Sequence, residues 1–319
     1  MISLDVSDIA DARWNKRLED SSLGSIHQTN EFATYTRKVF NQKPKFIKFL
    51  NSKGDIVGQL LLHEYSRFAK KGISGKFLKK ILGSKDTIFR WKYGPIIFKY
   101  NLADDVWKSL YDFFSTKNCK VIGTEAPLLA QSLKNPFIIK PWATFLIDLS
   151  ENLEVIWTRM DKHSAQKNIK RSEKRGVTIN EITEKDLHII HNLFQKTKGE
   201  DKTVSLEDVK IRWNCLHNIG MHGFLAFYEE KPIGGIMASS YNGYINEFGI
   251  ARTKKDSEGK LYSQDLLKWH IIKWGKNKNL KYYDLTGVNP YPQNEKEKGI
   301  FRYKEKWGGK LITYNRVTL

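Results

Sequence analysis

The chain has 319 residues, of which 40% are hydrophobic and 13% aromatic, which excludes a disordered protein and is enough for two domains. Its formal net charge is +19, which favours an anionic partner such as nucleic acid, an anionic membrane surface or a phosphorylated substrate. A lysine-rich solvated surface is the alternative, because charge alone does not specify a partner.

Cysteine usage and the opening residues bear on the compartment. Cys119 and Cys215 are far apart and form no CxxC pattern, which argues against a structural zinc site and favours a reducing compartment. No basic segment followed by an apolar core opens the sequence, and no apolar run approaches the roughly 18 residues of a membrane span. We therefore expect a soluble, cytoplasmic protein.

The first half of the chain, residues 1–150, predicts a mixed α/β unit. Helical periodicity covers residues 7–20 and Asn30–Val39, and two strands flank the Gly54-Asp55 turn. The predicted elements that follow the first two helices are strands Lys45–Leu50, Ile56–His63 and Trp91–Phe98, helix Asp104–Thr116, strand Lys120–Thr124 and a strand ending near Ile147.

The basic segment Arg67–Arg90 interrupts this half. It carries six lysines around four apolar residues, Phe77, Leu78, Ile81 and Leu82. Apolar pairs spaced by four within a cationic segment are typical of a peripheral contact with an anionic bilayer. A basic loop or short surface helix is the alternative.

The second half, residues 151–319, predicts a similar α/β unit. Its elements are helices over 152–160 and 162–175, strand Val177–Ile182, helices over 185–198 and 205–218, strands Gly223–Tyr228, Pro232–Ser240 and Tyr244–Ile250, helix Leu261–Lys278, strand Tyr282–Leu285, a short helix over 298–306 and strand Lys310–Tyr314. An antiparallel meander followed by a helix and a strand is typical of an acetyltransferase-like (GNAT) core. We therefore predict an α/β fold of two tandem GNAT-like subdomains with mixed, largely antiparallel sheets.

A basic helix opens the second half. Helical spacing of i, i+3, i+4 and i+7 places four cations on one face: Lys167, Lys170, Arg171 and Lys174. Glu173 is the one acid inside the run, so intrahelical ion pairs do not account for the charge. Such a face is suited to phosphate groups, and a solvated cationic surface is the alternative.

Two further features near the C-terminus are candidates for chemistry. Asp284 follows a strand and precedes a glycine turn, where it could bind or deprotonate an amine or simply cap the turn. On a helical projection, Lys304 lies within an apolar arc that includes Tyr303 and Trp307, whereas Lys306 falls on the opposite side. A lysine among aromatic residues either extends to the surface or is kept there for function.

These motifs resemble those of the Fem family of non-ribosomal peptidyl transferases, which move an amino acid from aminoacyl-tRNA onto a peptidoglycan precursor. Tyr303-Lys304, followed by Trp307-Gly308-Gly309, is similar to the family's C-terminal signature. The basic run through Gly176-Val177 and the Tyr283-Asp-Leu-Thr-Gly287 step also resemble family segments, and Ser25–Phe32 looks like its N-terminal Gln-Ser-x-x-Trp segment. The resemblance extends from about Ser25 to Ile312.

The resemblance implies roles for single residues. Lys304 would contact the carbonyl oxygen of the aminoacyl ester, with Tyr303 as the aromatic residue of the pair. Arg37 lies close to where some members place a lysine that holds substrate phosphates. Members that use a UDP-linked muramyl pentapeptide also hold it with an arginine and a tyrosine of the second subdomain, for which Thr197–Asp208 offers Lys198 and Lys202 but no arginine.

We therefore expect a monomeric aminoacyltransferase that moves an amino acid from aminoacyl-tRNA to an amine of a phosphorylated or lipid-linked peptide acceptor. Lys304 would stabilise the oxyanion, Asp284 would orient the amine, and the basic helix would hold RNA or acceptor phosphates. No metal or cofactor is expected, because aminoacyl-tRNA is already activated and no P-loop, dinucleotide or HExxH motif occurs.

Two alternatives remain open at this point. The first is a coenzyme A-dependent N-acyltransferase acting on a polar metabolite or surface sugar. The stretch Arg252–Leu261, where acetyltransferases place a glycine-rich pyrophosphate turn, contains only Gly259, which weakens that interpretation. The second is a catalytically silent RNA- or membrane-binding module.

Overall fold

The computed structural model describes residues 2–21, 24–66, 87–128, 135–199 and 203–319. Most of the basic segment Arg67–Arg90 therefore lies outside the described residues, as does Lys202. Contacts divide the chain into two compact units: unit 1 is Met1–Trp142 with Thr313–Leu319, and unit 2 is Ala143–Ile312. The predicted subdomain ranges, 1–150 and 151–319, stay predictions.

The described strands are β1 (Ser3–Ser7), β2 (Lys43–Leu50), β3 (Ile56–Ser66), β4 (Thr87–Arg90), β5 (Ile96–Ile97), β6 (Lys120–Thr124), β7 (Ile138–Asp148), β8 (Thr178–Glu181), β9 (Met221–Tyr228), β10 (Lys231–Tyr241), β11 (Tyr244–Arg252), β12 (Tyr282–Val288) and β13 (Lys310–Thr318). The described α-helices are α1 (Trp14–Asp20), α2 (Asn30–Phe40), α3 (Ala103–Ser115), α4 (Leu153–Arg159), α5 (Lys167–Lys174), α6 (Leu187–Lys198), α7 (Leu206–Leu216), α8 (Lys254–Glu258), α9 (Ser263–Asn277) and α10 (Glu295–Glu305).

Unit 1 is built around a mixed sheet in the order β1-β2-β3-β4-β6-β13, with β5 paired to β3. Only the pair β4–β6 among these is parallel. In β3, residues 57–63 are all buried, as expected for a strand that is covered on both faces. Helix α3 packs Val106, Leu110 and Phe114 into the same core, at the i, i+4, i+8 spacing of one helical face.

Two predicted elements of unit 1 are wrong in their bounds. The predicted strand Trp91–Phe98 is only the two-residue β5, because Tyr93 has a left-handed φ of 54° and Pro95 cannot donate a ladder hydrogen bond. The helix predicted over 7–20 begins at Trp14, and the short strand β1 precedes it. A five-residue strand with mostly exposed side chains gives no clear alternation in the sequence.

The sheet strands of unit 2 follow the order β7-β12-β11-β10-β9-β8. The predicted antiparallel meander is confirmed as β9, β10 and β11, and the helix and strand that follow it are α9 and β12. Helix α9 packs Leu267, Ile271 and Ile272 into a core shared with Ile236 of β10 and Ile245 of β11. These residues account for the apolar face that the sequence predicts for this helix.

The sheet of unit 2 opens at one point. β11 and β12 pair in parallel only over Tyr244–Asn246 and Tyr282–Asp284. Beyond these residues, each strand has a register shift where it pairs with its other neighbour. The shift in β11 lies opposite Met237/Ala238 of β10, and the shift in β12, which pairs with β7, lies between Asp284 and Gly287. Bulges re-aim side chains and terminate pairing, so the two strands part and leave room between them.

Two glycines test this packing in opposite directions. A Cβ at Gly123 would lie 2.1 Å from two atoms of the Trp91 ring, whereas one at Gly299, inside α10, would meet nothing within 4 Å. We expect Gly123→Ala to destabilise the protein by about 1–3 kcal/mol through overpacking. The matched Gly299→Ala should stabilise it by up to ~1 kcal/mol through helix propensity. Urea denaturation measures both, and equal effects of the two changes would contradict the packing described.

Candidate functional site

A cavity of about 520 Å³ lies in unit 2 where β11 and β12 part. We call it the lysine cavity, since two lysines reach it from different helices. Its lining includes Glu247, Phe248, Lys268, Thr286, Tyr303 and Lys304. Polar groups at the carboxyl end of parallel strands and on a neighbouring helix therefore converge in one place, which is common for ligand sites in α/β proteins.

Lys304 extends from the last turn of α10 into this cavity. Its Nζ donates to the main-chain oxygens of Thr286 and Gly287, at 3.1 and 3.2 Å, and lies 3.3 Å from Thr286 Oγ1. No carboxylate within hydrogen-bond distance of this ammonium occurs among the described residues. Burial lowers the pKa of Lys304 to about 8, while the charges of Glu247 and Asp284 oppose part of that change.

Asp284 is fully buried at the end of the parallel pairing. Its Oδ2 accepts hydrogen bonds from the Tyr244 hydroxyl at 2.8 Å and the Asn246 amide at 3.0 Å. Its Oδ1 accepts from the Thr286 main-chain nitrogen at 2.6 Å and contacts the Thr144 hydroxyl. The carboxylate predicted to orient an amine is thus surrounded by protein donors, and its direct contact with substrate stays a prediction.

Tyr303 separates the lysine cavity from a second cavity of about 370 Å³, which we call the tyrosine cavity. Its ring lies between two ammonium groups, 4.5 Å from Lys306 Nζ and 5.8 Å from Lys268 Nζ. The Tyr303 hydroxyl is buried and has no hydrogen-bond partner among the described residues. Burial, with the charges of Asp265 and Glu247, raises the pKa of Tyr303 well above its ordinary value.

Sequence reasoning missed a buried ion pair in the wall of the lysine cavity. Lys268, 1% exposed, pairs with Glu247, whose Oε1 also accepts from the Tyr283 hydroxyl. Among the described residues, nothing donates to Glu247 Oε2. Burial, followed by the charge of Glu247, raises the pKa of Tyr283 well above its ordinary value. Glu247 lies two residues after the buried Ile245 of β11, so it is on the same face of the strand. A charged residue at that spacing is the signal that could have identified it.

The helical projection places Lys306 opposite the apolar arc, but its side chain is largely buried. Lys306 is the C-cap of α10 with helical dihedral angles, and its ammonium pairs with the buried Asp265 of α9. Its ammonium lies 5.5 Å from the Trp307 ring, and Trp307 is fully buried as its place in the apolar arc predicts. The other carboxylate oxygen of Asp265 accepts from Asn168 of α5 at 3.1 Å.

The basic helix has its four predicted cations, Lys167, Lys170, Arg171 and Lys174, exposed on α5. A five-residue π-helix, Lys162–Gln166, precedes it. No acidic partner lies within ion-pair distance of these four cations among the described residues. Aromatic rings lie beside two of them. Lys170 Nζ is 5.7 Å from the centroid of the Trp157 ring, and the Arg171 guanidinium is 5.9 Å from that of Tyr262.

Tyr262 also connects this helix to the tyrosine cavity, which it lines together with Arg252, Asp256 and Gln264. Asp256, 2% exposed, accepts from the main-chain nitrogen of Ser263 at 2.8 Å, so a carboxylate of the chain itself occupies the N-terminus of α9. Helix N-termini commonly bind phosphates, and this one already holds an anion.

The remaining predicted residues lie elsewhere. Arg37 is exposed in the last turn of α2 in unit 1, and its role in holding phosphates stays a prediction. Arg212 of α7 lies near the predicted Lys198 in unit 2. Burial is the larger cause that lowers the pKa of Lys198, and the charge of Arg212 lowers it further. This arginine lies four positions beyond the segment Thr197–Asp208. The described residues contain no cluster of three or more metal-ligating side chains.

No described helix is both long and apolar enough to cross a bilayer.

No protein-family model and no curated protein matches the chain. Solved structures do match. FemX has a TM-score of 0.69 at 11% identity, over 98% of this chain and 96% of that one. The structure named L-PGS, from Bacillus licheniformis, has a TM-score of 0.55 at 12% identity, over 98% of this chain and 93% of that one.

A third match is the C-terminal domain of a putative lysylphosphatidylglycerol synthetase from Agrobacterium fabrum, with a TM-score of 0.54 at 9% identity, over 95% of this chain and 92% of that one. At such identities these structures show the fold alone. The predicted mixed α/β fold is confirmed, and it is similar to the fold of FemX.

The pKa of Lys304 has a consequence for stability. Because the folded-state pKa of about 8 lies below the ordinary lysine pKa of 10.5, the unfolded chain binds more protons between these pH values. The burial of charged Lys304 therefore costs stability below pH 8, and that cost disappears as the pH rises from about 8 to 10.5. We expect Lys304→Met to be more stable than the wild type at pH 7, with an advantage that shrinks towards pH 10. Denaturant titrations across this range measure it, and a pH-independent difference would contradict the burial of the ammonium.

Proposed function

We propose that the protein is an aminoacyltransferase that moves an amino acid from aminoacyl-tRNA to an amine of a peptidoglycan precursor or a related cell-envelope acceptor. The observation that carries this proposal is Lys304, an ammonium held by main-chain oxygens at the wall of the lysine cavity. Such a group is suited to stabilising an oxyanion, because it is preorganised and no carboxylate neutralises it.

The fold supports the class of reaction. One of the matching structures is named as the C-terminal domain of a putative lysylphosphatidylglycerol synthetase, and others are named FemX and L-PGS. We carry aminoacyl transfer over from them as a proposal, together with a lipid-linked or phosphorylated acceptor. A cytoplasmic location and a monomeric state belong to the same proposal.

The reaction divides naturally among the residues of the lysine cavity. The acceptor nitrogen attacks the ester carbonyl, a C–N bond forms, and the carbonyl oxygen gains the negative charge that Lys304 stabilises. The C–O bond to ribose then breaks, and the departing oxygen takes a proton from Lys304, for which a pKa of about 8 is suitable near neutral pH. Glu247 Oε2 accepts the proton that the attacking nitrogen loses, and proton exchange with solvent restores both groups.

Cationic side chains of the protein would bind the substrates. The unpaired cations of α5, with Tyr262 and Trp157 beside them, offer phosphate contacts and stacking surfaces for the RNA donor. Lys198 and Arg212 offer two converging cations for an acceptor phosphate. Arg37 of unit 1 is a further candidate for that role.

The coenzyme A alternative is weaker at the N-terminus of α9. A pyrophosphate there would meet the buried carboxylate of Asp256, which already accepts from Ser263. Two like charges at one helix N-terminus repel each other, so this site disfavours a second anion. The silent-module alternative differs in the assay below, because it binds RNA without turnover.

A transfer assay tests the proposal. Labelled amino acids on a panel of charged tRNAs would be offered with nucleotide-linked peptides and aminolipids, and product formation measured. We expect Lys304→Met to lower kcat by roughly 100-fold or more through loss of the oxyanion donor. Lys298→Met, an exposed lysine on the same helix that pairs with Glu295, is the control. Unchanged turnover in Lys304→Met, or acyl transfer from coenzyme A without tRNA, would refute the assignment.

RNA binding to α5 has a separate signature in its salt dependence. Removing Lys170, Arg171 and Lys174 together by substitution with Gln should weaken tRNA binding and reduce the slope of log K against log salt by about 2 to 3. Removing three exposed lysines elsewhere, Lys16, Lys108 and Lys231, is the matched control. Fluorescence anisotropy at several salt concentrations measures both variants. Equal slopes for the two triple variants would show that α5 does not bind the RNA.

A further inference from the structure

Two consecutive main-chain carbonyls of β12, those of Thr286 and Gly287, both accept from Lys304 Nζ. In a regular strand, successive carbonyls point in opposite directions, so they cannot meet at one ammonium. Thr286 resolves this because its φ of +64° is left-handed and reverses the local chain direction. The ladder with β7 records the same event, since Asp284 and Gly287 pair with Leu146 and Thr144 and β12 contains one extra residue.

Threonine is an unfavourable residue for this conformation. A β-branched side chain at positive φ is a steric outlier, whereas glycine or asparagine would adopt it at lower cost. Such strain persists only where the surroundings determine the conformation strongly. The Thr286 hydroxyl lies 3.3 Å from Lys304 Nζ. Thr286 therefore supplies two oxygens, its carbonyl and its hydroxyl, and the Gly287 carbonyl supplies a third to the same ammonium.

The surroundings that determine this conformation are Asp284 and Thr144. Asp284 Oδ1 accepts from the Thr286 main-chain nitrogen, which fixes the turn from one side. The Thr144 hydroxyl contacts the same carboxylate oxygen and lies 2.8 Å from the Thr286 carbonyl oxygen. A hydroxyl has one proton, so Thr144 donates to one of these acceptors at a time and ties both to β7. Thr144 and Asp284 are fully buried, and Thr286 lines the lysine cavity.

We infer that Asp284, Thr144 and Thr286 are positioning residues that hold two carbonyls of a strained bulge on Lys304 and so fix its ammonium for catalysis. This inference rests on the proposed function for the catalytic role of Lys304, but the positioning itself is a property of the free protein. It also gives Asp284 a role that differs from the predicted contact with an amine: it acts through Thr286. The charge of Asp284 supports the protonated state of Lys304, since it opposes the lowering of the pKa by burial.

The test uses two substitutions that change the strained bulge around Thr286 in different ways. Thr144→Val is close in volume and removes the hydroxyl that ties the bulge to β7. Thr286→Gly keeps positive φ accessible while it removes the strain and the third oxygen. Thr36→Val is the matched control, because Thr36 is a buried threonine of unit 1 whose hydroxyl donates to a main-chain oxygen at 3.0 Å.

The first measurement is the pKa of Lys304 in the full-length protein without substrate, by NMR of labelled lysine side chains assigned with Lys304→Met. We expect both variants to lower this pKa further. Thr144→Val releases the carbonyls that are held on the ammonium, and Thr286→Gly also removes the hydroxyl beside it. Thr36→Val should leave it unchanged. If both site variants titrate as the wild type does, the inference is wrong, whatever reaction the protein catalyses.

The second measurement is the transfer assay. Misplacement of the ammonium should lower kcat by roughly tenfold or more in both site variants with little change in KM. Thr286→Gly should do so without lowering the urea midpoint, since strain is relieved. A fall in kcat that follows a fall in stability would indicate a merely structural role and overturn the inference. Absence of transfer in the wild type would refute the proposed function but leave the NMR result to decide the positioning.

Discussion

Three lysine ammonium groups lie inside a small region of unit 2, and each needs oxygen partners because an unpaired buried charge is strongly destabilising. Lys268 pairs with Glu247, and Lys306 pairs with Asp265. Among the described residues, Lys304 has only neutral carbonyls and a hydroxyl as partners. This asymmetry distinguishes the three lysines: two are paired with carboxylates and lie near the ring of Tyr303, whereas the third lines the lysine cavity without one.

The surface and interior cations therefore serve different purposes. On α5 the lysines and arginines are exposed and make no ion pair among the described residues, so their charge is available to polyanions at long range. In the lysine cavity the charges act at contact distance in a low-dielectric environment, where each hydrogen bond has more weight. A formal net charge of +19 does not distinguish these two populations, which become separate only when burial is known.

Much of the fold was predictable, because the meander of unit 2 and its helix follow hydrophobic periodicity. Tyr303 and Lys304 were identifiable because a lysine within an apolar arc breaks the helical pattern. The position of Lys306 was not predictable because a helical projection of one segment contains no information about Asp265, which comes from another helix. Glu247 was missed since its partner is 21 residues away, and only the parting of β11 and β12 brings it to the cavity.

The C-terminal strand has a consequence for how the chain is connected. Because Thr313–Leu319 belongs to unit 1, unit 2 is an insertion into unit 1 and not a domain appended to it. Within unit 1, Trp142 packs against the cluster that contains Tyr314, so the chain leaves and re-enters this unit at neighbouring points. A fragment that stops at residue 142 would lack β13, the antiparallel partner of β6. Dissecting the two units cleanly thus calls for rejoining 142 to 313 rather than for a single cut.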